Sequence, residues 1–125
     1  MELPKELLYT EEHEWILVDD NIATIGITDY AQGELGDIVF VELPNIGDEV
    51  KQMDTFGTIE AVKAVSDLFS PVSGKVVGVN DLLQDRPEII NQSPYDEGWM
   101  IKVELSDKAE FKLLLSAEAY KQQIS

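Results

Sequence analysis

Thr55-Phe56-Gly57-Thr58-Ile59-Glu60-Ala61-Val62 and Val65-Ser66-Asp67-Leu68-Phe69, separated only by Lys63-Ala64, decide how this chain folds. Both segments are rich in β-branched and aromatic residues, which suit a pleated, half-buried surface, and read as two strands. Between them Lys63-Ala64 offers no Gly, Asn or Pro to satisfy the usual two-residue hairpin turns, so composition alone marks no turn there. A lysine at a turn is ordinarily a solvated charge, so its meaning depends on what surrounds it.

On the N-terminal side, residues 37–43 are almost all apolar, which predicts a strand covered on both faces and ended by Pro44 and Gly47-Asp48. Before it, residues 15–18 and Ile22–Ile27 predict two strands joined at Asp19-Asp20-Asn21, with residues 1–14 as a lead-in. Thr28 is placed to cap a short helix over Asp29–Leu35, limited by Gly33 and Gly36. On the C-terminal side, Ser70-Pro71-Val72-Ser73-Gly74 leads into a strand over residues 75–79. Residues 81–91 read as a loop with one helical turn, broken at Pro87. Residues 98–105 alternate, Trp99, Ile101, Val103 and Leu105 against Met100, Lys102 and Glu104. Ser106 is placed to cap a helix from Asp107, and Ser116 a second one, with Phe111, Leu114 and Leu115 as the packing stripe. The expectation is one β-rich domain, 1–125, with helical additions and no linker.

Composition narrows the function. The 125 residues are 44% hydrophobic, enough for one packed core. Against 9 Lys and Arg stand 25 Asp and Glu, a formal charge of −16. Such a surface repels phosphate backbones and anionic lipid, which argues against nucleic-acid and membrane partners. It suits basic partners, or solubility alone. With no cysteine, disulfides, thiolate zinc sites and cysteine nucleophiles are excluded, and the single His13 leaves one possible imidazole base. The N-terminus lacks a basic region followed by an apolar one, and no apolar run is long enough to span a bilayer, so a cytoplasmic location is expected.

The order Gly47-Asp48-Glu49-Val50, then Glu60-Ala61-Val62-Lys63-Ala64, then Ser70-Pro71-Val72-Ser73-Gly74-Lys75-Val76 resembles the lipoyl and biotinyl carrier domains. More narrowly, five blocks resemble the H-protein family of the glycine cleavage system in order and spacing. They are Tyr9-Thr10 with His13-Glu14-Trp15; residues 23–32, Ala-Thr-Ile-Gly-Ile-Thr-Asp-Tyr-Ala-Gln; residues 35–44, Leu-Gly-Asp-Ile-Val-Phe-Val-Glu-Leu-Pro; Val62-Lys63-Ala64-Val65-Ser66-Asp67; and Pro94-Tyr95 with Gly98-Trp99-Met100-Ile101-Lys102. The likeness runs from about Leu8 to the C-terminal helix. Met53 departs where carrier domains often have a turn glycine, and Ala61 where this family often has serine.

That resemblance implies a mainly β, flattened barrel-sandwich of two β-hairpin halves, with Lys63 as the attachment point of lipoate. Glu60 and Gly74 match the glutamate and glycine by which the family's attachment enzymes recognise the hairpin. It implies a non-catalytic shuttle ferrying an aminomethyl group and reducing equivalents. Its implied partners are a glycine decarboxylase, an aminomethyltransferase and a dihydrolipoamide dehydrogenase, with a lipoate ligase or lipoyl transferase loading it; a monomer is expected. A free lysine amine has a pKa near 10.4, so attachment needs an activated acyl donor and an external enzyme. Glu12, Glu14 and Asp67 are candidate docking carboxylates for a cationic aminomethyl group, and His13 is read as orienting the lead-in by a hydrogen bond. Trp15 and Trp99 are read as core residues. Three other readings stay open: an enzyme built on paired carboxylates, a carrier domain or lipoate relay serving another complex, and an unmodified interaction module. Val62 and Ala64, where biotinyl domains usually have methionines, speak against biotin.

Overall fold

The computed structural model describes residues 3–124. Strands β1 (Leu8–Tyr9), β2 (Glu14–Asp19) and β3 (Ile22–Ile27) come first, then helix α1 (Asp29–Leu35) and strands β4 (Ile38–Glu42) and β5 (Glu49–Val50). The hairpin β6 (Thr55–Ala61) and β7 (Val65–Phe69) follows, with β8 (Gly74–Val79) after it. Two single-turn helices, α2 (Leu82–Asp85) and α3 (Ile89–Gln92), lead to β9 (Ile101–Leu105), a 3-10 helix (Lys108–Leu113) and α4 (Ala117–Gln123). A six-stranded antiparallel sheet runs β1-β2-β3-β9-β8-β5, and a three-stranded one runs β4-β6-β7. Their facing sides interdigitate Ile25, Val76, Ile101 and Val103 with Val41, Ile59 and Leu68. Truncating Ile25, Ile59, Leu68 or Ile101 to alanine costs about 2–5 kcal/mol, by lost burial and the cavity left behind.

The capping chemistry sets where the helices begin. Thr28 accepts the Ala31 N–H at 3.1 Å, and Gly36 closes α1 at φ 83°, a conformation costly for residues with a Cβ. Ser116 caps α4 through the Ala119 N–H. At the other predicted cap the structure differs: Asp107, not Ser106, accepts from Ala109, and a 3-10 helix follows.

Three further expectations are corrected. Residues 81–91 hold two helical turns, because the chain resumes at Ile89 with Ile89 and Ile90 buried. The lead-in already contains β1, which pairs with β2 and bridges to Leu115. The strand over residues 37–43 is not covered on both faces: Val39 and Phe40 are exposed. A bulge between Ile38 and Phe40 turns neighbouring side chains outward together, and the β4-β6-β7 sheet keeps its outer face on solvent. The alternation over 98–105 also fails at its start. Met100 is buried, its N–H donating to Ile25 and its carbonyl accepting from Asn80, whereas Trp99 is half-buried under the Lys102 ammonium, 5.0 Å from the ring.

Candidate functional site: the Lys63 hairpin and the acidic cleft

Pairing Glu60 with Val65 and closing Ala61 N–H onto the Ala64 carbonyl at 2.7 Å leaves Val62-Lys63 as the reversal. Neither residue has positive φ, so the turn avoids the primed geometries that demand glycine or asparagine. The Val62 N–H donates to the Asp37 carbonyl at 3.1 Å, which ties the tip to the segment entering β4. Lys63 is exposed at that braced tip. Its Cε passes 3.4 Å from where a Cβ on Gly36 would stand, so the end of α1 borders the lysine stem.

Glu60 is exposed one cross-strand pair behind the tip. Gly74 lies in the other sheet, where a side chain would collide with the Glu104 carbonyl; close backbone approach is reason enough for glycine there. At the far end of the same hairpin Met53 sits at φ 72°, a left-handed residue where a glycine would be relaxed.

Glu12, Glu14 and Asp67 line one cleft of ≈ 260 Å³, with Ile27, Leu35, Ile59 and Leu68 as apolar walls. Glu12 and Asp67 are exposed at its rim. Glu14 is 2% exposed. Its Oε1 bonds the Thr10 hydroxyl at 2.6 Å and its Oε2 accepts the Phe69 N–H at 3.3 Å. Burial outweighs those hydrogen bonds and pushes the Glu14 carboxyl up to about 8. At neutral pH this group is mostly a neutral hydrogen-bonding carboxyl, not a fixed charge.

His13 takes left-handed φ 71° and bonds the Tyr120 hydroxyl through Nδ1 at 2.8 Å. That hydroxyl also bonds Thr28 Oγ1 at 2.8 Å, and the Tyr120 ring stacks on Tyr9 at 4.9 Å. The expected orienting bond of His13 is therefore made to α4, and burial lowers the imidazole pKa. Tyr30 and Glu34, one helical turn apart on α1, complete the cleft and were not singled out from sequence; their i, i+4 spacing is the signal that places them together. Among the described residues no cluster of three or more His, Asp or Glu is placed to hold a metal ion, and no helix is long and apolar enough to cross a membrane.

The family model for the glycine cleavage H-protein matches residues 7–125. The glycine cleavage system H protein of Staphylococcus haemolyticus is 60% identical over 124 residues, 99% of this chain and 98% of that protein. The protein of the same name from Staphylococcus saprophyticus is 58% identical over the same shares. The crystal structure of a glycine cleavage system H protein from Mycobacterium marinum superposes with a TM-score of 0.89 at 37% identity, covering 97% of this chain and 98% of that one. A solved barrel-sandwich and full-length relatives thus agree with the hairpin and cleft: the chain belongs to the glycine cleavage H-protein family, whose role is that of a lipoyl-carrying shuttle.

Proposed function

We propose that Lys63 carries lipoate in amide linkage and that the chain, a single non-catalytic carrier domain, presents that arm in turn to the enzymes of the system. The partners are the glycine decarboxylase, the aminomethyltransferase and the dihydrolipoamide dehydrogenase, after loading by a lipoate ligase or lipoyl transferase in the cytoplasm. When bound, the arm supplies a disulfide that takes up a one-carbon amine and two electrons. The supporting observation is the placement of Lys63: exposed, at a two-residue reversal braced by Asp37, with the acidic cleft starting at Ser66, three residues further along the chain.

The chain's residues fit such a group. An arm of about ten bonds, at ~1.5 Å per bond, spans on the order of 10 Å or more. Asp67 is four residues from Lys63, about 13 Å at the strand rise. The apolar walls of the cleft suit a hydrocarbon chain and ring, and exposed Glu12 and Asp67 face whatever cation the arm brings. Glu14, buried behind them, offers a hydrogen bond. Glu60 and Gly74 serve recognition by the loading enzyme, Gly74 alongside its backbone role.

The test is intact mass after incubation with lipoate, ATP and a lipoate ligase. Parent protein gains one lipoyl group, and Lys63→Arg gains none and carries nothing. Modification of Lys63→Arg at another lysine defeats the assignment. A mass gain only with biotin favours the biotinyl reading instead.

A further inference from the structure

The register of the three-stranded sheet puts Phe40 opposite Glu60, and Glu60 opposite Val65. Directly opposed residues project to one face, so Glu60 stands between two apolar side chains on the solvent side. Phe40 is 47% exposed and Val65 66%. Val62, on the reversal itself, is 75% exposed. The next row back, Glu42-Thr58-Asp67, is acidic, and β4, β6 and β7 contain no Lys or Arg. The result is a carboxylate inside an apolar collar, one residue pair behind the lysine. Such a collar is poor for a solitary protein, since it leaves large apolar side chains in water, and good for a partner that desolvates them.

We propose that the row Phe40-Glu60-Val65, with Val62, is the docking surface for the enzyme that acylates Lys63. The complementary face is an apolar patch with one arginine or lysine aimed at Glu60. This rests on Lys63 being the lipoyl site, and it deepens that reading. Acylation needs the Lys63 Nζ inside the enzyme's active site. There it attacks the carbonyl of an activated lipoyl donor, a nucleotide anhydride made from lipoate and ATP. The ammonium first loses one proton to water; the N–C bond then forms, the nucleotide leaves with the bonding pair, and a second proton is lost, which leaves an amide with one N–H. An enzyme that close to Nζ must cover the pair of residues behind the tip. Enzymes acting on the far end of the arm work on the order of 10 Å further out and need not touch the row. A charge pair closed off from water inside an apolar ring is stronger and more selective than the same pair in solvent, which explains why Glu60 has apolar neighbours among so many acids.

The experiment measures ligase kinetics on unmodified protein, by intact mass, for Phe40→Thr, Val65→Thr and the pair. Threonine keeps the strand propensity and removes the apolar surface. The expected result is a KM for the carrier raised about tenfold by each change and further by both, with kcat within about twofold and melting unchanged. Should the pair lower the melting temperature, Val62→Ser, outside either strand, gives the same reading in a folded protein. Kinetics equal to the parent's in a folded variant overturn the docking surface while leaving Lys63 as the lipoyl site. A parent that the ligase never modifies overturns the lipoyl reading itself, so the two failures are distinct. Normal loading of the variants combined with slowed turnover by the decarboxylase assigns the row to that enzyme and overturns the proposal. Concentration-dependent association of the parent that the pair abolishes, with loading unchanged, makes the row a self-interface and overturns it as well.

Discussion

Replacing Glu14 by glutamine should make the protein more stable, and increasingly so as pH rises. The carboxyl sits 2% exposed, with its pKa pushed from 4.5 to about 8 by burial. Between those values the native chain keeps a proton that the unfolded chain releases, so stability is full below about pH 4.5 and falls as pH climbs toward 8. The slope is about 1.4 kcal/mol per pH unit. At pH 7, roughly 2.5 units above the unfolded value, the burial costs on the order of 3 kcal/mol, with local relaxation making this an upper limit. Glutamine is nearly isosteric. Its carbonyl can accept from the Phe69 N–H and its amide can donate to Thr10 Oγ1, so both present partners are kept. Urea unfolding followed by the fluorescence of buried Trp15, from pH 5 to pH 9, gives the stability of each protein. The difference between variant and parent cancels the other acids. That difference should be about 1 kcal/mol or less at pH 5 and grow to its maximum above pH 8. A difference that stays flat across the range refutes the claim that Glu14 is buried and protonated at neutral pH.

Tyr120→Phe removes the hydroxyl shared by His13 and Thr28 and should cost about 1–3 kcal/mol in urea unfolding. The His13 imidazole pKa should also change, as read by NMR titration of this sole histidine. Met53→Gly should stabilise by about 1 kcal/mol, because the left-handed φ of 72° is relieved. A drop in stability would mean that the methionine side chain packs usefully. Asp67→Asn should leave lipoate attachment unchanged and, with the transferase absent, speed release of formaldehyde and ammonia from the charged carrier, by up to about fivefold if the lost contact is worth ~1 kcal/mol. Equal release rates would remove Asp67 from docking.

The strands around Lys63 were legible because β-branched and aromatic runs encode strands; that they form a hairpin with Lys63 at its tip came from the resemblance to carrier domains. The turn itself was not, since Val62-Lys63 uses neither glycine nor positive φ and is held by a bond to Asp37 that is remote in sequence. Caps at Thr28 and Ser116 were legible from residue type; at Ser106-Asp107 two adjacent capping residues competed and the aspartate won. The exposure of Val39 and Phe40 was hidden, because an apolar run records what a strand is made of and not which side its neighbours cover. Glu12, Glu14 and Asp67 were singled out as acids, but only Asp67 lies near Lys63 in sequence. That one of them is buried and mostly neutral depends on Thr10, Phe69 and the closing of β2 against β7, which no local pattern carries.

If the cleft holds the aminomethyl group, as proposed above, this division among the three acids sets how the load is both held and released. Three carboxylates fully ionised around one cleft would bind an amine cation tightly and would repel one another when it left. With Glu14 protonated, the cleft facing an incoming cation presents the exposed Glu12 and Asp67 and a neutral hydrogen-bonding floor. A cation settling against Glu14 favours its charged form, which lowers its pKa and expels the proton. Docking and protonation of Glu14 therefore compete. The energy gained by the new ion pair is offset by the desolvation that keeps the carboxyl neutral when the cleft is open. The held state is then only modestly favoured, as a shuttle requires, and it should weaken as pH falls below about 8, where the proton competes better. Glu14→Gln removes that competition, so its docking equilibrium should show less dependence on pH even where the parent's is steep.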